Sequence, residues 1–144
     1  MSDKIKLLFL CTGNSCRSQM AEGWARHLKN DQLEVFSAGL ETHGLNPHAV
    51  KVMAEVGVDI TNQKSQLLSE FEGVNFDYVV TVCSHAHDNC PIFSGKAKVI
   101  HVGFEDPPKM APAGASAAEI LDCFRQIRDE IKLYAETLPE SLKL

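Results

Sequence analysis

Nearly every position of residues 4–10 (KIKLLFL) is apolar, and the run is short and followed by a glycine-containing loop, which predicts a buried strand. The pattern then changes period. Residues 18–29 (SQMAEGWARHLK) place Met20, Trp24, Ala25 and Leu28 on one helical face. Residues 33–39 (LEVFSAG) read as a second strand ending at Gly39, and residues 47–57 (PHAVKVMAEVG) as a helix with Pro at its start and Gly at its stop. Strands three and four are predicted at 76–83 (FDYVVTVC) and 96–103 (KAKVIHVG). Residues 107–118 read as a loop leading into a long amphipathic helix over 116–138.

Strands alternating with helices imply an α/β fold: a four-stranded parallel sheet flanked by helices on both faces, in a single domain over 1–144. Ligands of such sheets bind beyond the carboxyl ends of the strands. Cys11, Cys83 and the "EDPP" segment at 105–108 all follow strands, so three separate segments are expected to converge on one crevice.

Composition narrows what that crevice holds. The 144 residues are 44% hydrophobic and 23% charged with net charge −5, so no overall basic field draws the chain to nucleic acid or anionic lipid. Any bound anion must be held locally. No apolar stretch approaches the roughly 20 residues of a membrane span, and a cytoplasmic, monomeric protein is expected. The five cysteines, Cys11, Cys16, Cys83, Cys90 and Cys123, are an odd number in a well-cored chain, which argues against a disulfide scaffold. Cys123 falls on the apolar stripe of the last helix and is expected in the core.

The chemistry concentrates in "CTGNSCRS", residues 11–18. Cys11 and Arg17 are spaced C-x5-R between a strand and a helix, with Gly13 for a tight turn. Successive N–H groups of Thr12, Gly13, Asn14, Ser15, Cys16, Arg17 and Ser18 can wrap a tetrahedral oxyanion at the helix N-terminus. Arg17 can fork two hydrogen bonds onto the same anion. That setting also favours the Cys11 thiolate, to which the Ser18 hydroxyl can donate. The loop is at once an anion cradle and a nucleophile.

The same residues carry a family resemblance. "CTGNSCRSQMAEGWA", "SAG" at 37–39, "VVTVC" at 79–83, "CP" at 90–91 and "FEDPP" at 104–108 together resemble the thioredoxin-coupled arsenate reductases built on the low-molecular-weight tyrosine phosphatase fold. The resemblance implies Cys11 as nucleophile, Arg17 as oxyanion ligand, Asp106 as general acid/base, and Cys83 with Cys90 as a redox pair. It implies arsenate as substrate, phosphate or sulfate as competing anions, thioredoxin as reductant, and no cofactor or metal. Two positions depart from related proteins. Pro108 and Lys109, not tyrosines, follow the Asp-Pro step, which speaks against phosphotyrosine recognition. Gln66 stands where some reductases have an Asp that helps bind potassium, so a site at Asn14, Glu22 and Ser37 lacks a charge and no cation is expected.

Several residues keep alternatives. Asp106 precedes proline and can serve merely as a turn residue; its place after strand four favours the acid role, with Glu105 facing solvent. "CSHAHDNC" (83–90) offers four zinc-ligand types. Those ligands are crowded and no second half-site exists, so an exposed dithiol on a mobile loop is the stronger reading, with His85 and His87 as polar loop residues. Cys16 either faces the core or guards Cys11 against oxidation. Reduction of arsenate through a three-cysteine relay is the favoured function. Phosphate-monoester hydrolysis by Cys11, Arg17 and Asp106, or a non-catalytic redox or oxyanion sensor, are its rivals.

Overall fold

The apolar run near the start of the chain becomes the central strand, β1 (Ile5–Cys11), in which every residue from Leu7 to Cys11 is buried. Side chains alternate between the faces of a strand, so an unbroken buried run requires both faces of the sheet to be covered. The computed structural model describes residues 4–90 and 97–143. Strands β2 (Leu33–Gly39) and β3 (Tyr78–Thr81) flank β1, and β4 (Lys98–His101) pairs with β3. The four-stranded sheet is parallel throughout in the order β2-β1-β3-β4.

Helices α1 (Arg17–Lys29), α2 (Pro47–Glu55) and α5 (Ala117–Glu136) pack against one another. Trp24 Nε1 donates to the Arg128 carbonyl at 3.1 Å, and the Phe124 ring lies 5.2 Å from that of His48. Against β2, Phe36, Phe71 and Phe76 meet edge to face at 5.3–6.2 Å. The α5 N-terminus is set by a capping box, with Ser116 and Glu119 satisfying each other's backbone N–H.

Three boundaries differ from the sequence expectation. β3 is shorter than 76–83 because Cys83 leaves the strand to cap α3 (Ser84–Asp88), a helical turn where a mobile loop was expected. Five polar and small residues are too few to show a helical period. Residues 107–110, expected as loop, form the single turn α4 (Pro107–Met110), for which Pro107 pre-sets the backbone. β4 covers the middle of the expected fourth strand, whose first residue, 96, lies outside the described residues. Cys123 is half-buried, not fully in the core.

From β1 the chain builds outward to β2, then crosses back to lay β3 on the other side. The carboxyl end of β1 is therefore the switch point of the sheet, where a crevice opens. Cys11 is the last residue of β1.

Candidate active site

After Cys11 the backbone is held by its carbonyls. Cys11, Thr12, Gly13 and Ser15 O accept from Leu40, Glu41, His43 and Asn46 N–H at 2.9–3.2 Å. Asn14 O accepts from Gln19 Nε2 at 3.0 Å, and Cys16 O from Met20 N in the first turn of α1. With its carbonyls engaged on the outside, the loop presents N–H groups to the crevice, where the α1 N-terminus adds its dipole. The tight turn is made at Asn14 (φ 47°), not at Gly13. Asn tolerates this left-handed conformation because its side chain bonds locally: Nδ2 donates to Ser18 Oγ at 2.9 Å, and Oδ1 accepts from Gln66 N at 2.7 Å. Gly39 allows the close approach of the loop, since a Cβ there would lie 2.8 Å from both Asn14 N and Thr12 O.

The crevice has a volume of about 1020 Å³. Of the residues singled out in the sequence, Cys11, Thr12, Gly13, Ser15, Cys16, Arg17, Cys83 and Asp106 line it. Asn14 and Ser18 sit fully buried behind the loop and brace it. Glu105 is exposed at the rim, as are Glu41 and His43, which pair at 2.6 Å. Arg17 is aimed across the crevice: Nη1 donates to the Phe104 carbonyl at 3.0 Å and Nη2 lies 3.7 Å from Asp106 Oδ2. Its Nε is buried with no hydrogen-bond partner among the described residues, a donor that a bound oxyanion would satisfy.

Two thiols meet at the base. Cys11 and Cys83 are hydrogen bonded to each other. The Cys83 pKa is lowered to about 5 by the Cys11 thiol first, then by Thr12, the Ala86 N–H and Arg17 against the opposing effect of burial. Thr12 Oγ1 lies 3.2 Å from Cys83 Sγ, and Ala86 N donates to it at 3.4 Å at the start of α3. Cys11 is pushed above the ordinary thiol range by its bond to Cys83 and by burial, which outweigh Arg17 and the Thr12 N–H. Cys83 thus collects donors from Thr12 and Ala86 that no local sequence signal assigns to it.

Cys16 faces the crevice and donates to Asp106 Oδ1 at 3.8 Å. Burial, then the repulsion of Asp106, raise its pKa to about 11, so it stays a thiol at neutral pH. Cys90 is half-buried beyond α3, and burial raises its pKa as well. His87 is not a free loop residue: its ring meets Thr81 and His101.

The oxygens behind the loop are engaged with neighbouring donors. Glu22 accepts from Ser37 Oγ at 2.5 Å and pairs with Arg26 at 2.6 Å, while Asn14 Oδ1 serves Gln66 N and Gln19 Nε2. Positive charge is already supplied by the guanidinium. Burial raises the Glu22 pKa, with Ser37 and Arg26 opposing.

The model of the low molecular weight phosphotyrosine protein phosphatases matches residues 6–144. The chain belongs to this family. Among its relatives, arsenate reductase of Shouchella clausii (strain KSM-K16) is 51% identical over 95% of this chain and 99% of the relative. Arsenate reductase of Bacillus subtilis (strain 168) is 50% identical over the same shares. A solved arsenate reductase in the oxidized state superposes with TM-score 0.75 at 34% identity, covering 92% of this chain and 95% of the other. Family membership accounts for the sheet order and the loop. The second and third thiols are what a phosphatase of this fold does not need.

The sequence points to Thr12 only as backbone of the cradle, and to Cys16 as that and as a core residue or a guard of Cys11. Their side-chain roles, Thr12 on Cys83 and Cys16 on Asp106, depend on residues 71 and 90 positions away, and no local signal carries them.

Proposed function

We propose that this protein reduces arsenate to arsenite, with Cys11, Cys83 and Cys90 as a thiol relay and thioredoxin as the reductant. The observation that carries the reading is the contact between the Cys11 and Cys83 sulfurs at the base of an oxyanion crevice. Ester hydrolysis needs one nucleophile, one oxyanion ligand and one acid; a second thiol touching the first is suited to a step in which sulfur becomes the electrophile.

Arsenate enters the cradle, held by loop N–H groups and Arg17. Cys11, its proton lost to solvent, attacks arsenic while Asp106 protonates the departing oxygen, which leaves as water. Cys83, as a thiolate, attacks Cys11 sulfur. An S–S bond forms, the S–As bond breaks, and its electron pair stays on arsenic, which leaves as arsenite. Two thiol sulfurs are oxidised and arsenic(V) becomes arsenic(III). Cys90 then attacks Cys83, freeing Cys11 and leaving a Cys83–Cys90 disulfide that a dithiol protein such as thioredoxin reduces. Phosphate binds the same cradle but accepts no electrons.

No helix among the described residues is long and apolar enough to cross a membrane. A relay that must be returned to thiols each cycle suits the reducing cytoplasm, and one chain supplies every group the cycle uses, so a monomer suffices. The test is NADPH consumption with arsenate, thioredoxin and thioredoxin reductase, repeated with phosphate: oxidation is expected with arsenate alone. Hydrolysis of aryl phosphates without arsenate-dependent oxidation would leave the phosphatase reading in its place.

A further inference from the structure

A cluster outside the crevice ties the redox helix to the sheet. His87, on α3, places Nδ1 3.1 Å from Thr81 Oγ1, at the end of β3. His101, at the end of β4, places its Nδ1 2.9 Å from the same hydroxyl and 3.1 Å from the Thr81 carbonyl. The two rings lie 4.6 Å apart, tilted by 32°. A carbonyl can only accept, so His101 Nδ1 carries the hydrogen and donates to Thr81. The Thr81 hydroxyl, accepting from His101, has its own hydrogen left for His87 Nδ1 at 3.1 Å, nearer than the Ile100 carbonyl at 3.5 Å. The chain of donors runs one way, from His101 through Thr81 to His87.

This clasp lies where the relay must move. Cys83 caps α3 and Cys90 follows it, with Cys90 N donating to the His87 carbonyl at 3.4 Å. The four steps of Ser84–Asp88 rise about 6 Å along the helix axis, and Cys83 and Cys90 stand beyond its opposite ends, separated by more than that rise. A disulfide needs Cα atoms about 4.4–6.8 Å apart. Wound α3 therefore forbids the Cys83–Cys90 bond, and α3 must unwind before it can close. Within so short a helix, internal hydrogen bonds give little stability. What keeps it wound is its attachment: Ala86, fully buried, and His87 on Thr81.

We infer that His87, clasped through Thr81 to His101, holds α3 wound and so sets how readily Cys90 reaches Cys83, as a positioning residue for the disulfide step. The inference rests on the relay proposed above. It separates two demands on α3. Wound, the helix gives Cys83 the Ala86 N–H and a helix N-terminus that stabilise its thiolate; unwound, it lets Cys90 in. The clasp sets the balance between them, without touching the oxyanion.

Thr81→Val removes the hydroxyl at nearly constant volume, and His87→Phe keeps a ring against His101 at similar helix propensity while losing the acceptor. Thr81→Ser keeps the hydroxyl. In Thr81→Val and His87→Phe, amide exchange at His87 and Asn89 should quicken roughly threefold to tenfold, the worth of one hydrogen bond. The single-turnover conversion of the Cys11–Cys83 species to Cys83–Cys90 should quicken by a similar factor, with kcat and KM for an aryl phosphate unchanged. The double variant should gain no more than either single one, and Thr81→Ser should match wild type. His87 is exposed, so His87→Phe decides the matter if Thr81→Val folds poorly. Unchanged exchange and conversion in His87→Phe, or equal acceleration in Thr81→Ser, overturns the clasp while leaving the relay intact. A wild-type peptide map after turnover with no Cys83–Cys90 bond overturns the relay itself, and the clasp's role in it.

Discussion

Thr12 Oγ1 lies 3.2 Å from Cys83 Sγ, joining the first residue after the nucleophile to the second thiol of the relay. The contact follows from register. Leu10 pairs with Thr81 across β1 and β3, so two steps further along both chains Thr12 arrives beside Cys83. In the proposed relay, the hydroxyl that follows Cys11 thus stabilises the thiolate that would resolve it.

Thr12→Val should therefore weaken Cys83 and spare the first chemical step. The Cys83 thiolate is lost as pH falls, and with Cys11 bonded to arsenic and no longer a donor to it, the acid limb of arsenate turnover should lie above pH 5. In Thr12→Val this limb should move to higher pH, and formation of the Cys11–Cys83 bond at pH 6 should slow about tenfold, as loss of a hydrogen bond to a charged group predicts. Rapid-quench measurement across pH 4–8 reads both; an unshifted limb would remove Thr12 from the scheme.

The relay makes a disulfide-by-disulfide forecast. Cys90→Ser should stall as Cys11–Cys83, and Cys83→Ser should lose thioredoxin-linked arsenate turnover while retaining slow aryl phosphate hydrolysis within about twofold. Cys11→Ser should lose both activities. Non-reducing peptide mapping after one turnover identifies each species. Wild-type cycling by Cys90→Ser would refute the third thiol's part.

Gly39→Ala tests the frame behind the cradle. The added methyl meets Asn14 N and Thr12 O at 2.8 Å and also the Glu41 carbonyl, all of them backbone atoms that cannot turn aside. The loop must shift by several tenths of an ångström, so phosphate as a competitive inhibitor should bind at least tenfold more weakly. Thermal unfolding should show a loss of about 1–3 kcal/mol, as for other overpacked sites. Unchanged phosphate inhibition would mean that the loop tolerates displacement.

Glu55 joins α2 to α5 and should govern acid stability. It pairs with Arg125 at 2.7 Å and Arg128 at 3.0 Å, and Arg125 first, then Arg128, lower its pKa to about 2. A depressed carboxylate stabilises the fold above its unfolded pKa near 4.5 and loses that contribution as pH falls toward 2. Melting temperatures should drop across this window in wild type and drop less steeply in Glu55→Gln, whose melting temperature at pH 7 should be lower by a few degrees. Parallel curves for the two proteins would assign the acid transition elsewhere.

The sequence by itself determined the alternation of strands and helices, the strand before and helix after "CTGNSCRS", and the gathering of Cys11, Cys83 and Asp106 at one end of a parallel sheet. These are short-range properties: a hydrophobic period, a proline at a helix start, a glycine at a stop, a C-x5-R spacing. Helix α3 escaped because five residues contain less than two turns of period, and the turn at Asn14 because Asn competes with the neighbouring Gly13 for the left-handed position. Only the tertiary structure brought a second thiol against Cys11 and gathered donors around it. That depends on Thr12, Cys11 and the α3 N-terminus converging on Cys83 through strand order, with Arg17 nearby. It likewise decided that Cys16 serves Asp106, that Arg26 answers Glu22, and that His87 reaches His101 across Thr81. Protons and charges respond to neighbours in space, and residues 71 or 90 positions apart become neighbours only when the sheet is assembled.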